Sequence, residues 1–172
     1  MKNRISWTDQ LLSELELSCP AGAEAVGYLR EHRIHLRIRR QPTAARWTLD
    51  RKVEIHPRYA QGSPSAAYAL SLVVHEIRRI QQGPALVLSV LGELEAWQAQ
   101  FGFLMRLPGG DSGIPGRAEL IQQLLSLPLG WDRTTLASAR RLMRDYAGKR
   151  YRVDLLPLYP VHRELLYAIV RR

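Results

Sequence analysis

Two stretches of helical periodicity, separated by a Gly-Pro pair, constrain the fold of this chain more than any other feature. From about Ser65 to Gln82, apolar residues recur at i, i+3, i+4 and i+7, the spacing of one helix face. Gly83 then stands where helices often end in a left-handed residue, and Pro84 suits the first turn of a second helix that is predicted to run to about Leu107. Because the connection is so short, the two helices are expected to fold back on one another.

The first of these helices carries an incomplete metal-binding motif. His75 and Glu76 occupy the first two positions of H-E-x-x-H, and Arg79 stands where the second histidine belongs. In the complete motif the histidines at i and i+4 share a helix face and hold one Zn²⁺, while the glutamate polarises the metal-bound water. The function of the chain therefore depends on the consequence of this one substitution.

Composition favours an ordinary globular protein in a reducing compartment. A chain of 172 residues is long enough for one domain with a sizeable core, and 46% hydrophobic with 24% charged residues is typical of that class. The single cysteine, Cys19, excludes an intrachain disulfide and suits the cytosol. The first residues lack the apolar core of a secretory signal, and no apolar run is long enough to span a bilayer. We therefore predict one cytoplasmic domain, residues 1–172, without a membrane partner.

A strand precedes the motif helix. Residues 33–39 alternate strictly between basic and apolar side chains, which predicts a half-buried strand. Ile34, Leu36 and Ile38 are expected to point inward, and the basic residues are expected to face water.

A hairpin is predicted to follow. Residues 45–49 and 52–56 alternate around Asp50-Arg51, which would form a two-residue turn, although Asp-Arg is a weaker turn pair than Asp-Gly. Two helices precede the strand, one capped by Thr8 or Asp9 and one beginning at Ala21. Further helices are expected beyond Ala118.

This order of elements, followed by Gly92-Glu93-Leu94-Glu95-Ala96 on the second long helix, resembles the zincin-like metallopeptidase fold, specifically its gluzincin branch. The resemblance implies an α+β fold in which a small mixed or antiparallel sheet packs on an active-site helix and a following glutamate helix. It covers about residues 34–106. The single domain would then have a core at about 33–107 and a C-terminal helical extension at about 117–172.

The resemblance also assigns roles to individual residues. His75 matches the first metal ligand and Glu76 matches the general base. Glu93 matches the third ligand because it lies three residues before Ala96, as in E-x-x-A. Glu95 is the alternative, and the two glutamates point to nearly opposite helix faces, so they cannot both fill the role.

Arg79 departs from the family pattern. A guanidinium is always protonated, has no lone pair to donate and places a positive charge where a dication should bind. We therefore expect Arg79 to act as a metal-replacing cation that pairs with Glu93, with Glu76 as a further acceptor. No cofactor is expected, although zinc would bind if the site were still functional. Taken singly, His75 fits a hydrogen-bonded core histidine, and Glu76 with Arg79 fits an ordinary helix pair.

The implied function is that of a catalytically inactive relative of zinc metallopeptidases. Its cleft would retain a peptide or protein partner, held by strand addition at the sheet edge, for which the hairpin arm 53–56 is the candidate. His162 and Tyr59 are candidate cleft residues. The first alternative is a metal-dependent hydrolase whose missing ligand comes from His56 or His162.

The second alternative is a basic nucleic-acid-binding domain. A formal net charge of +9 and an isoelectric point near 10.3 raise this expectation, and the strand 33–40 offers a row of arginines. The arginines are spread along the whole chain, however, which is more typical of a solvated surface. The sequence therefore does not favour nucleic acid as the partner.

Overall fold

The computed structural model describes residues 6–63, 66–108, 117–148 and 151–170. Within these ranges the chain is mixed α+β, with eight α-helices and a three-stranded sheet, which confirms the predicted α+β class. The helices are α1 Trp7–Ser18, α2 Pro20–Glu31, α3 Ala67–Gln81, α4 Gly83–Val87, α5 Val90–Leu104, α6 Ala118–Ser126, α7 Arg133–Ala147 and α8 Val161–Val170. The strands are β1 His35–Ile38, β2 Ala45–Thr48 and β3 Lys52–Ile55. None of the helices in these ranges is long and apolar enough to cross a membrane.

The chain packs as two compact units. The first comprises residues 1–77 and 102–113, and the second comprises residues 78–101 and 114–172. The first unit therefore contains α1, α2, the sheet and most of α3. The second contains the end of α3, all of α4, most of α5 and the three C-terminal helices.

In the first unit, α1 begins earlier than predicted. The side-chain oxygen of Ser6 accepts a hydrogen bond from the backbone N–H of Asp9 at 3.1 Å, so Ser6 is the N-cap and the prediction of Thr8 or Asp9 is wrong. The two N-terminal helices then approach closely at Gly22. A Cβ on Gly22 would lie 2.1 Å from the carbonyl oxygen of Leu15, so this contact between α1 and α2 requires glycine.

The sheet has the order β1-β3-β2, with β1 parallel and β2 antiparallel to β3. The prediction that the arm 53–56 is an exposed edge is therefore wrong, because β3 has a strand on each side. Parallel pairing of β1 with β3 produces this result, since β3 enters between β1 and β2. The strands with a single neighbour in this sheet are β1 and β2.

The register gives the sheet one apolar face. Leu36, Val53 and Trp47 form one row across the three strands, and Ile38, Ile55 and Ala45 form the next. On the central strand Val53 and Ile55 are fully buried. Ile38 is 42% exposed, contrary to the prediction that it points inward, because it ends an edge strand and has a strand neighbour on one side only.

The hairpin connection has three residues rather than the predicted two. The N–H of Arg51 donates to the carbonyl of Thr48 at 3.1 Å, and Arg51 has a φ of 57°. This is the pattern of a turn followed by one left-handed residue. A two-residue hairpin usually needs positive φ at one or both of its residues, which Asp50-Arg51 supports poorly without glycine.

In the second unit, the predicted helix from Pro84 to Leu107 is two helices, α4 and α5. Gly83 has the expected positive φ, 74°. Helix α4 ends with its C-cap at Leu88, and a new helix start follows at once. The Ser89 hydroxyl accepts a hydrogen bond from the N–H of Gly92 at 3.1 Å and so caps the beginning of α5. The helical periodicity concealed this second break, because serine satisfies the new helix start without glycine or proline.

The start of α5 is held on two sides. The N–H of Val90 donates to the carbonyl of Pro157 at 2.7 Å, so the C-terminal segment satisfies a helix N–H that has no partner within α5. On the other side, a Cβ on Gly92 would lie 2.2 Å from the carbonyl oxygen of Leu86. These contacts fix the first turn of α5, which carries Glu93.

Candidate functional site

The three motif residues are buried on α3. His75 is 8% exposed, Glu76 7% and Arg79 9%. His75 and Arg79 are four residues apart and share one helix face, with His75 in the first unit and Arg79 in the second. Charged side chains are rarely this buried unless they are paired.

Within the second unit, Arg79 forms an ion pair with Glu93. A second nitrogen of its guanidinium donates to the carbonyl of Val87 at 2.5 Å. Glu93 is 4% exposed, so both charges lie away from water. The pairing of Arg79 with Glu93 expected from the sequence is therefore present.

Two aromatic side chains complete the surroundings of Glu93. The indole N–H of Trp97 donates to Glu93 Oε1 at 2.9 Å and lies 2.8 Å from the hydroxyl of Tyr151, which also donates to Glu93. The Trp97 ring packs edge-on against Tyr151 and Tyr146, at centroid distances of 5.5 and 4.9 Å. The carboxylate of Glu93 is thus held by a cation and by two neutral donors.

Glu95 has different partners. Its carboxylate accepts from Arg78 and from the side-chain amide of Gln82, the latter at 2.8 Å. The same amide nitrogen donates to the carbonyl of Gly92 at 2.7 Å. Of the two candidate glutamates, Glu93 is therefore the partner of Arg79, and Glu95 stabilises the adjacent turn.

The donor set does not fit a zinc ion. Arg79 occupies the second ligand position and has no lone pair to coordinate a metal. Among the described residues, no group of three or more His, Cys, Asp or Glu side chains is arranged to hold a metal. His56, an alternative ligand, accepts from the N–H of Arg58 at 3.1 Å and caps a short 3-10 turn, Pro57–Tyr59.

His162 and Tyr59, the candidate cleft residues, lie in different units. Tyr59 packs against Tyr68 in the first unit, with their ring centroids 5.4 Å apart. His162 lies on α8 in the second unit, beside a cavity of about 670 Å³. The lining residues are Trp131, Tyr159, His162, Arg163, Leu166, Tyr167 and Val170. Arg79 and Glu93 are not among them, so His162 belongs to a separate feature of the second unit.

The cavity beside α8 is mainly aromatic. Arg163 stacks over Trp131 at 4.1 Å from the ring centroid, and Tyr159 and Tyr167 stack at 5.8 Å. Burial raises the pKa of the Tyr159 phenol, and the neighbouring Tyr167 adds to the shift. Tyr159 is therefore neutral at physiological pH and can donate a hydrogen bond.

Sequence reasoning missed two partners of Glu93. Trp97 follows Glu93 by four residues on one helix, so the i, i+4 rule was a usable signal. Tyr151 is 58 residues further along the chain, and no local pattern connects the two. Arg79 also has a partner that the sequence could not indicate, the backbone carbonyl of Val87, because every residue type carries such a carbonyl.

Comparison of the chain with protein-family models, with curated proteins and with solved structures finds no match. Its function must therefore be inferred from the residues and their contacts.

Proposed function

We propose that the chain is a zincin-like domain in which a buried arginine–glutamate pair takes the place of the catalytic metal. On this proposal it is a binding protein for an extended peptide and not a peptidase. The observation that carries the proposal is the ion pair between Arg79, at the position of the second metal ligand, and Glu93, at the position of the third.

The charges support the replacement of a metal by a cation. A Zn²⁺ bound by two neutral histidines and one carboxylate would leave a local charge of +1, and the arginine alone already neutralises Glu93. The helix dipoles also stabilise both charges, since Arg79 lies in the last turn of α3, where a cation is favoured, and Glu93 in the first turn of α5, where an anion is favoured. A dication placed beside this guanidinium would be repelled.

The order of elements also supports the family resemblance. A mixed three-stranded sheet precedes the motif helix α3, and the glutamate helix α5 follows it after the five-residue helix α4. Apart from α4, this order along the chain is the one that the gluzincin resemblance leads us to expect.

We place peptide binding at the edge strand β2. The N–H of His56 donates to the carbonyl of Ala44, and hydrogen-bonded pairs alternate along an antiparallel ladder. The N–H and C=O of Trp47 therefore point away from β3, toward the open side of the sheet. An extended peptide can add there as a further strand.

A cleavage assay tests the absence of peptidase activity. The purified protein, with and without added zinc, is incubated with a mixture of unstructured peptides, and the products are identified by mass spectrometry. The expected result is no zinc-dependent cleavage. Cleavage that is lost in Glu76→Gln and kept in the neighbouring control Glu95→Gln would overturn the proposal and establish a metallohydrolase.

A further inference from the structure

The positive charge of the chain is concentrated around the sheet. Residues 33–58 contain eight Lys or Arg and two acidic residues, a surplus of six in a chain whose formal net charge is +9. Seven of the eight are arginines. Two thirds of the net charge of the chain therefore lies in the 26 residues that form the sheet and its connections.

Four of these eight basic residues lie on the face of the sheet opposite its apolar rows. The register sets Arg37, Glu54 and Arg46 side by side across the three strands, and His35, Lys52 and Thr48 form the next row. We call this surface the basic face. Its residues are His35, Arg37, Arg46, Thr48, Lys52 and Glu54, together with Arg39, which reaches Glu54 from the end of β1.

The carboxylate of Glu54 organises the basic face. It accepts from Arg46 Nε at 2.8 Å and from Arg39 Nη1 at 3.2 Å, and Glu54 is 1% exposed. The side chains of the two arginines remain 43% and 64% exposed. One carboxylate thus fixes two guanidiniums while neutralising a single charge.

Arg37 completes the row. It is exposed on β1, directly opposite Glu54 in register, and none of the described acidic side chains forms an ion pair with it. This row and Arg39 together present three guanidiniums around one covered carboxylate, and their surplus positive charge faces solvent.

We infer that the basic face binds the phosphate backbone of duplex nucleic acid without sequence preference. Guanidinium forks match phosphate oxygens in a bidentate way that ammonium groups do not, which fits the predominance of arginine. Because Glu54 already holds the guanidiniums of Arg46 and Arg39 in place, less side-chain entropy is lost on binding. This inference is independent of the proposed peptidase ancestry.

Two features favour a duplex over other polyanions. No residue that the described strands place on the basic face is Phe, Tyr or Trp, so it lacks the stacking platform that single strands use. The apolar rows lie on the opposite face of the sheet, with Val53 and Ile55 buried, so the basic face itself carries no apolar side chain that could insert into a lipid surface.

Fluorescence anisotropy with a short labelled DNA duplex tests the inference across a salt series. The full chain should bind at low salt, and its affinity should fall steeply as salt rises. Arg37→Gln should weaken binding several-fold and reduce the slope of log K against log salt by about 0.9, the value for one phosphate contact. Arg37→Lys should keep the slope, because the charge remains.

Arg141→Gln is the charge-matched control, since Arg141 is an exposed arginine of α7 and not part of the sheet. It should leave the slope unchanged. Circular dichroism establishes that the variants are folded. Absence of binding at low salt, equal effects of Arg37→Gln and Arg141→Gln, or tighter binding to single-stranded DNA or to anionic phospholipid vesicles would each overturn the inference.

Discussion

Arg79 and Glu93 form a buried ion pair between the last turn of α3 and the first turn of α5. Arg79 also donates to the carbonyl of Val87, and Glu93 also accepts from Trp97 and Tyr151. Hydrogen bonds of this kind offset the desolvation of a buried pair. The pair therefore fixes how the two helix ends meet, and its loss has a definite energetic consequence.

Breaking the pair from one side should destabilise the protein strongly. Arg79→Met or Glu93→Gln leaves a buried charge without its counter-ion, which costs about 3–5 kcal/mol. The double variant should lose less than the sum of the two, because neither charge remains. Urea unfolding of the four proteins measures the coupling energy.

The exposed pair between Arg30 and Glu16 is the matched control for this cycle, with side chains 62% and 39% exposed. Glu16→Gln should shift the unfolding midpoint much less than Glu93→Gln. Strict additivity of the Arg79 and Glu93 variants would contradict the account.

Two glycines of α5 should respond to alanine in opposite directions. Gly92→Ala should destabilise by about 2 kcal/mol or more, because the new Cβ would lie 2.2 Å from the Leu86 carbonyl oxygen. Gly102→Ala should stabilise by up to about 1 kcal/mol, since no described atom beyond its chain neighbours and its own helix backbone lies within 4 Å of the new Cβ, and alanine favours the helix. Thermal unfolding of the two glycine variants tests both expectations. A Gly92→Ala protein as stable as the native chain would show that α4 and α5 do not meet this closely.

The ionisation of Glu54 should make the free energy of unfolding depend on pH in the acidic range. Burial alone would raise the pKa of Glu54, but hydrogen bonds from Arg46 and Arg39 outweigh it and leave the pKa below its ordinary value. The folded state therefore binds the proton less readily, so this contribution is present above the unfolded pKa of about 4.3 and is lost as pH falls through the folded value.

Urea unfolding of the native chain and of Glu54→Gln, from neutral pH downward, measures this contribution. The native chain should be the more stable at neutral pH, and the difference should shrink below about pH 4. A difference that does not change with pH would rule out an ionised Glu54 in the folded protein.

Peptide binding at β2 should require the backbone N–H of Trp47. Peptides selected from a library of short linear sequences should lose binding in Trp47→Pro, which removes that donor on the outer edge of the sheet. Leu49→Pro, in the exposed hairpin loop, is the control and should retain binding. Selected peptides that bind Trp47→Pro as well as the native chain would move the site away from this edge.

Local chemistry accounts for what the sequence predicted well. The α+β class and the helix end at Gly83 follow from periodicity and from glycine's tolerance of positive φ. The partnership of Arg79 with Glu93 was expected from the ligand positions that the family resemblance implies, and the ion pair is present. The zincin family and its functional roles remain predictions.

Features that depend on distant segments were beyond the sequence. The central position of β3 results from parallel pairing with β1 across residues 39–51, which strand alternation does not specify. Tyr151 reaches Glu93 through the packing of the C-terminal segment. Strand alternation predicted the outward row of arginines on residues 33–40, but not their neighbours, because the register of three strands decides that Glu54 and Arg46 lie beside Arg37.

The central claim is that Arg79 stands in place of a metal, and zinc stoichiometry tests it most directly. The native chain, Arg79→His and Arg78→His are each equilibrated with zinc, desalted and measured by elemental mass spectrometry. Arg78→His is the matched control, because it adds a histidine to the same helix turn at the wrong spacing from His75.

The account predicts close to one zinc per chain for Arg79→His, and far less than one for the native chain and for Arg78→His. Full zinc occupancy of the native chain would contradict it. A folded Arg79→His protein that takes up no more zinc than Arg78→His would contradict it equally.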